Sequence, residues 1–179
     1  MLSMIGSISV IVAFLAAIVV TVSGIVGGFR RNQTLIDVAR WGSYLMFAAM
    51  TVAFVTMEIA LLTHDFSVEY VSRVGSRETP SYYTAISLWS SLDGSILFWG
   101  WILSAYAALV AFVQRDSNSR LTPFASGVIG FVSIFFFGLL VGPANPFGTV
   151  FPVPANGPGP NPLLQNHPLM GLHPPMLYF

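Results

Sequence analysis

Three histidines and the prolines around them are the side chains in this chain best suited to chemistry. His173 stands before Pro174 and Pro175, His167 before Pro168, and His64 before Asp65. Imidazole titrates near neutral pH and is a favoured ligand for metals, haem iron among them. A proline ring fixes its own backbone and biases the preceding residue toward extended values. His173-Pro174-Pro175 should therefore aim an imidazole at low conformational cost, which suits a metal or haem ligand. His167-Pro168 is a second, weaker candidate of the same kind. The alternative for His173 is an interfacial histidine beside an ordinary proline helix start. In His64-Asp65 the carboxylate can set the imidazole tautomer only if the two touch, and adjacent residues on a helix do not face each other. Two polar residues at a helix end is the simpler reading there.

Two carboxylates complete the set. Glu58 is the one charge well inside an apolar run. Intramembrane charges are often functional, but this one is near enough to the helix end to snorkel. Asp93 lies in Trp89-Ser90-Ser91-Leu92-Asp93-Gly94-Ser95-Ile96-Leu97-Phe98-Trp99. It is placed to cap a helix N-terminus, where the dipole favours an anion. Gly94 and Ser95 beside it permit close approach. No phosphate loop, Ser–His–Asp order or zinc helix motif appears, so no catalytic residue is assigned. The chain has no cysteine, which excludes disulfides and thiolate metal sites within it. Any thioether would have to form on a partner.

The elements that position these groups follow from composition. Of 179 residues, 55% are hydrophobic and 8% charged, and the mean hydropathy is +0.76. A soluble domain carries about 25% charged residues, so this is a polytopic membrane protein. The net charge of zero offers no electrostatic case for nucleic acid. Apolar runs over about 4–29, 41–63, 94–114 and 121–142 each approach the roughly 20 residues of a bilayer-spanning helix. A helix satisfies its own backbone groups, so the expectation is an all-α membrane protein with four transmembrane helices and irregular outer loops, forming one membrane domain over residues 1–179. Small residues such as Gly24, Gly27 and Gly28 suit close helix packing.

Arginine sets the orientation. Arg30, Arg31 and Arg40 follow the first run, and Arg115 and Arg120 follow the third. The positive-inside rule places both of these short loops in the cytoplasm. The N-terminus, the 64–93 loop and the 143–175 tail then face outward, and all three histidines lie there. Trp41 and Trp89 fall at predicted interfaces. In the outer loop, Val68–Val71 reads as a short strand or extended chain, and Ser81–Trp89 as an interfacial helix after Pro80. The proline-rich tail is expected to pack over the helix ends through Phe147, Val150, Phe151, Leu163, Leu164, Leu169 and Met170. Met176-Leu177-Tyr178-Phe179 reads as the first turn of a fifth transmembrane helix, which makes the sequence an N-terminal fragment or one piece of a split protein.

Several of these stretches together resemble the CcmF/NrfE family of cytochrome c-type biogenesis proteins. They are His64-Asp65-Phe66-Ser67-Val68, Tyr70-Val71, Pro80 with Tyr83, Trp89, Gly94-Ser95, Leu97 and Trp99. Asn145-Pro146-Phe147 belongs with them, as do Asn161-Pro162-Leu163-Leu164-Gln165, His173-Pro174-Pro175 and Leu177-Tyr178. The similarity runs in order through nearly the whole chain. Where the family has a Trp-Gly-Gly-x-Glu-Gly-Ser type sequence, this chain has Trp89 to Ser95 with its paired glycines replaced.

The resemblance implies a multi-pass protein of the bacterial plasma (inner) membrane. It implies a haem lyase component that takes haem b from a chaperone of the CcmE type. With CcmH- and CcmI-type partners, it presents that haem for attachment to apocytochrome c on the outer face. His173 is implied as an axial haem ligand, with Trp89, Asp93, Gly94, Ser95, Trp99, Asn161, Pro162, Pro174 and Pro175 as the supporting motif. No metal apart from haem iron is implied. The Trp-rich loop and further histidines of the family are expected beyond Phe179, so lyase activity is expected only of the complete protein or complex. Two other classes are a proton-coupled transport subunit, built on Glu58, and a structural subunit of a split membrane complex.

Overall fold

The computed structural model describes residues 1–115, 121–166 and 168–177. Four long helices form the body: α1 (Leu2–Arg30), α2 (Gln33–Leu62), α5 (Leu92–Val113) and α6 (Leu121–Val141). All four are long and apolar enough to cross a membrane. Between α2 and α5 lie two short helices, α3 (Glu69–Val74) and α4 (Ser81–Ile86), and a 3-10 turn at Ser87–Trp89. The tail adds α7 (Pro162–Asn166) and α8 (Pro168–Met176). The protein is an all-α membrane protein, and β-pairing among the described residues is one isolated bridge, Val68 to Thr149.

The second long helix begins at Gln33, earlier than the 41 expected from hydropathy. Its first two turns are polar but helical for local reasons. Arg31 adopts a left-handed conformation (φ 52) that ends α1. The Asn32 side chain then accepts from Leu35 N at 3.2 Å, an ordinary N-cap. The Asp37 carboxylate pairs with Arg40 one turn on, at 3.0 Å.

The long helices close into a four-membered ring: α1 lies against α2 and α6, and α5 lies against the same two. Apolar side chains such as Val10, Met46, Met50, Met57, Leu97, Phe137 and Leu140 fill its centre. Small residues let α1 and α6 cross at backbone distance. A Cβ added at Gly24 would stand 2.7 Å from Pro123 O and 2.9 Å from Gly127 N. Such approach suits helix association in lipid, where dispersion and hydrogen bonds replace the hydrophobic effect. Hydroxyls in the spans donate to carbonyls four residues earlier: Thr21 to Ala17, Ser43 to Ala39 and Ser133 to Ile129.

One end of the ring is covered. The residues expected to be extended at 68–71 instead start α3 at Glu69, after the bridge at Val68. The tail runs across this end as a strap. Glu69 N donates to Gly148 O at 2.7 Å and Val150 N to Ser67 O at 3.1 Å. The Ser3 hydroxyl donates to Phe147 O at 2.5 Å. Of the expected tail anchors, Phe147 and Leu164 are buried, whereas Phe151, Leu163, Leu169 and Met170 are exposed. The backbone bonds of the strap, rather than a row of apolar anchors, hold it in place. The last helix, α8, runs to Met176, and Tyr178 and Phe179 of the stretch expected to begin a fifth span lie outside the described residues.

Candidate functional site

The covered end is built on Tyr70. Its phenol lies wholly inside the protein and donates to Ser87 O at 3.0 Å and Leu88 O at 2.7 Å. Burial pushes this phenol above its ordinary pKa range. Tyr70 thereby ties α3 to the 3-10 turn. Gly94, in the first turn of α5, sits directly beneath: a Cβ there would collide with Leu88 O and with the Tyr70 ring and hydroxyl. Only hydrogen fits between these groups.

Asp93 is not the N-cap of α5. That position belongs to Ser91, and Asp93 falls in the first helical turn, where an anion still meets the positive end of the dipole. Its side chain is buried and pairs with Arg73 of α3. Arg73 lies 20 residues earlier in the chain; the pairing follows from α3 being folded back onto α5. Ser95 donates to Trp89 O at 3.1 Å. Tyr70, Arg73, Asp93, Gly94 and Ser95 thus fix the backbone on which Trp89 is carried.

Trp89 reaches from this platform to the tail. Its ring stacks on Phe98 at 5.0 Å, and its indole N–H donates to Gly171 O at 2.9 Å. Gly171 is buried in α8. A Cβ on it would lie 2.6 Å from Ile86 Cδ1 and 3.3 Å from the Tyr82 hydroxyl, both of α4. The Tyr83 hydroxyl donates to Gln165 O at 3.4 Å. The tail's two short helices therefore rest on α4 and the turn after it. Asn161 starts them: its side chain accepts from Leu163 N at 3.0 Å, and Pro162 takes the first helical position, where a missing N–H costs nothing.

His173 lies within α8, not in the extended segment expected from the following prolines. The docking of Gly171 on α4 and the bond from Trp89 hold the segment helical against the pre-proline bias. The imidazole is exposed and makes no hydrogen bond among the described residues. Pro174 and Pro175 follow in the last turn. His167 lies outside the described residues. Trp99 does not join this cluster: it is 42% exposed and packs on Phe136 of α6 at 4.7 Å.

His64 is separate in its bonding. It adopts a left-handed backbone (φ 53) after α2, and its Nε2 lies 3.1 Å from Ser76 O. A carbonyl only accepts, so Nε2 carries the proton in this contact. Asp65 does not pair with it; its carboxylate accepts from the Ser67 backbone N–H and hydroxyl. Glu58, half-buried on α2, makes no hydrogen bond among the described residues. No cluster of three or more His, Asp or Glu able to hold a metal ion occurs among the described residues.

Sequence reading singled out Trp89, Asp93, Gly94, Ser95, Asn161, Pro162 and His173; it noted Tyr70 only within the family resemblance and gave no role to Arg73 or Gly171. Gly171 carried a signal: an isolated glycine inside an apolar helical stretch weakens the helix relative to alanine and so points to a packing reason.

No family model matches the chain. It is 36% identical over 177 residues to the cytochrome c-type biogenesis protein CcmF of Pseudomonas fluorescens, covering 97% of this chain and 26% of that protein. It is 33% identical over 152 residues to NrfE of Haemophilus influenzae, covering 85% of this chain and 24% of that protein. A solved structure of the cytochrome c haem lyase CcmF superposes with a TM-score of 0.85 at 28% identity, covering 99% of this chain and 28% of that one. The chain thus spans about a quarter of the length of the relatives it matches. Similarity along nearly all of this sequence, joined to the same arrangement of helices, makes the chain a member of the CcmF/NrfE family of cytochrome c-type biogenesis proteins.

Proposed function

We propose that this chain forms part of a cytochrome c maturation haem lyase and that His173 supplies an axial ligand to haem b. The observation that carries the reading is the exposed imidazole on a short helix docked against the Trp89 platform. The residues present fit one face of a haem. His173 offers an imidazole nitrogen, and Leu169, Leu172 and Met176 of the same helix expose apolar side chains that suit a porphyrin surface. The described residues supply that one ligand position and no thiol. When bound, haem brings the iron and the vinyl groups that react with apocytochrome thiols. The part of this chain is to hold and orient the macrocycle at the membrane surface. Partners of the reading are a CcmE-type chaperone as donor, CcmH- and CcmI-type proteins, and apocytochrome c.

Orientation follows the charges. Arg30, Arg31, Arg40 and Arg115 gather at the end of the bundle opposite His64 and His173. By the positive-inside rule that end is cytoplasmic, so the His173 platform faces outward across the bacterial inner membrane. The test is the absorption spectrum of the complete protein coexpressed with its chaperone. In His173→Ala, haem content should fall and the axial-ligand bands should shift. Unchanged content and bands would overturn the ligand assignment.

A further inference from the structure

We infer that the Trp89 indole N–H is the hydrogen-bond donor that Pro175 cannot provide, and that Trp89 is thereby a positioning residue for His173. In a helix the carbonyl of residue 171 receives the N–H of residue 175. Here residue 175 is proline, within α8, and has no N–H to give. Gly171 O instead accepts the Trp89 indole N–H at 2.9 Å. A side chain thus closes the backbone ladder that the proline opens.

Both partners are held for this contact. The Trp89 ring stacks on Phe98, which stacks in turn on Trp101 and that on Phe54, at 5.0, 6.1 and 4.8 Å. The backbone of its turn is pinned by the Tyr70 hydroxyl at Ser87 and Leu88, and by Ser95 at Trp89 itself. An indole N–H donates one hydrogen bond and accepts none, so it is spent on this carbonyl. Gly171 has no Cβ, which lets α8 sit on Ile86 and Tyr82.

The geometry also explains why His173 stays free. Residues two apart on a helix point about 200° apart around its axis. Gly171 faces α4 and is buried, while His173 faces away and is exposed. The clamp therefore grips the helix on one side and leaves the imidazole on the other.

This inference rests on the reading of His173 as an axial ligand, and its test separates the two. The complete haem-loaded protein is compared in five forms: wild type, Trp89→Phe, Pro175→Ala, the double variant of these two, and His173→Ala. Trp89→Phe keeps the stacking on Phe98 but removes the donor. The axial-ligand signature is read by electron paramagnetic resonance. The mobility of α8 is read without reference to haem, from a spin label on Met170→Cys, a position given no part in the haem surface, with any other cysteines of the complete protein replaced. One hydrogen bond of ordinary net strength, lost in Trp89→Phe, should raise the population of undocked α8 about five-fold and weaken the axial signal in step. Pro175→Ala puts an N–H back at that position, so the double variant should recover both readouts. Pro175→Ala alone, which leaves the platform intact, should speed hydrogen exchange of the Trp89 indole.

Unchanged label mobility in Trp89→Phe would overturn the inference. So would a mobility increase that Pro175→Ala does not reverse, because packing rather than the N–H would then be at work. A reversible mobility change with a wild-type haem signal in His173→Ala would uphold the clamp and overturn the ligand reading.

Discussion

The Phe147 ring of the tail lies against Gly6 of α1, filling the space a Cβ at Gly6 would need. The contact joins the start of the first span to the strap that follows the fourth, and the Ser3 hydroxyl bonded to Phe147 O secures it. Gly6→Ala should push the ring out and loosen the strap. Overpacking of this kind costs about 1–3 kcal/mol. The variant should melt earlier in detergent and be cut sooner by protease between residues 143 and 161. Equal proteolysis rates in the variant and wild type would refute the strap's dependence on this contact.

Tyr70→Phe removes the donor that serves two buried carbonyls. Ser87 O keeps the Ser90 N–H and hydroxyl as donors, so the loss falls on buried Leu88 O and should cost about 1–3 kcal/mol. The pH dependence has a definite sign. The folded-state phenol titrates above its ordinary value of about 10, so the protein holds its proton where the unfolded chain has lost it. The resulting stability is fully present below pH about 10 and declines as pH rises beyond it. Tyr70→Phe should lack this alkaline decline, and denaturant titrations at neutral and alkaline pH would show a flatter profile.

Arg73→Ala should be worse than Asp93→Asn. The Asp93 side chain is 11% exposed against 47% for Arg73, so removing arginine strands a carboxylate with little water. The half-exposed guanidinium moderates the loss to about 1–3 kcal/mol, below that of a fully buried pair. Adding Asp93→Asn to Arg73→Ala should recover part of it. Strictly additive losses in the double-mutant cycle would show that the two groups act independently.

Within the spans, the Trp101 indole donates to the Thr51 hydroxyl at 3.0 Å, and that hydroxyl donates to Phe47 O at 2.8 Å. Thr51→Val keeps the shape but removes both roles. Interhelical hydrogen bonds in membranes average about 0.6 kcal/mol with a maximum of about 1.7, so a small loss is expected. Thr51→Ser should restore it, and unfolding equilibria in lipid would measure the difference.

The four spans were legible because lipid demands long apolar runs, and 121–142 was nearly right against Leu121–Val141. The start of α2 was missed because hydropathy registers contact with lipid. The turn at Asn32 is set by hydrogen bonds instead. The helix at Glu69–Val74 was hidden by Val68, Tyr70 and Val71, whose branched and aromatic side chains favour strands. Burial at Tyr70 overrides that local preference. Phe151 and Leu163 were read as anchors because they are apolar, yet their side chains face outward. Asp93 was recognised as a helix-start carboxylate, but Arg73 was not, since the pairing depends on how α3 folds back. The helical state of His173 was unreadable for the same reason: its cause, Trp89, lies 82 residues from the glycine it bonds.

The strap has a consequence for the order of assembly. Ser3 and Phe147 are 144 residues apart, so their contact closes a loop containing all four spans. Contacts of such separation form late, because the loop-closure entropy must be met before they stabilise anything. The α1–α2 hairpin, with its short turn at Arg31 and Asn32, can form as soon as both helices have entered the membrane. The histidine-bearing end cannot be completed until α6 has been threaded and the tail has emerged on the same side as the N-terminus. A nascent chain halted before Phe147 would hold a formed bundle with an open end, and α8 would have no strap to follow into place.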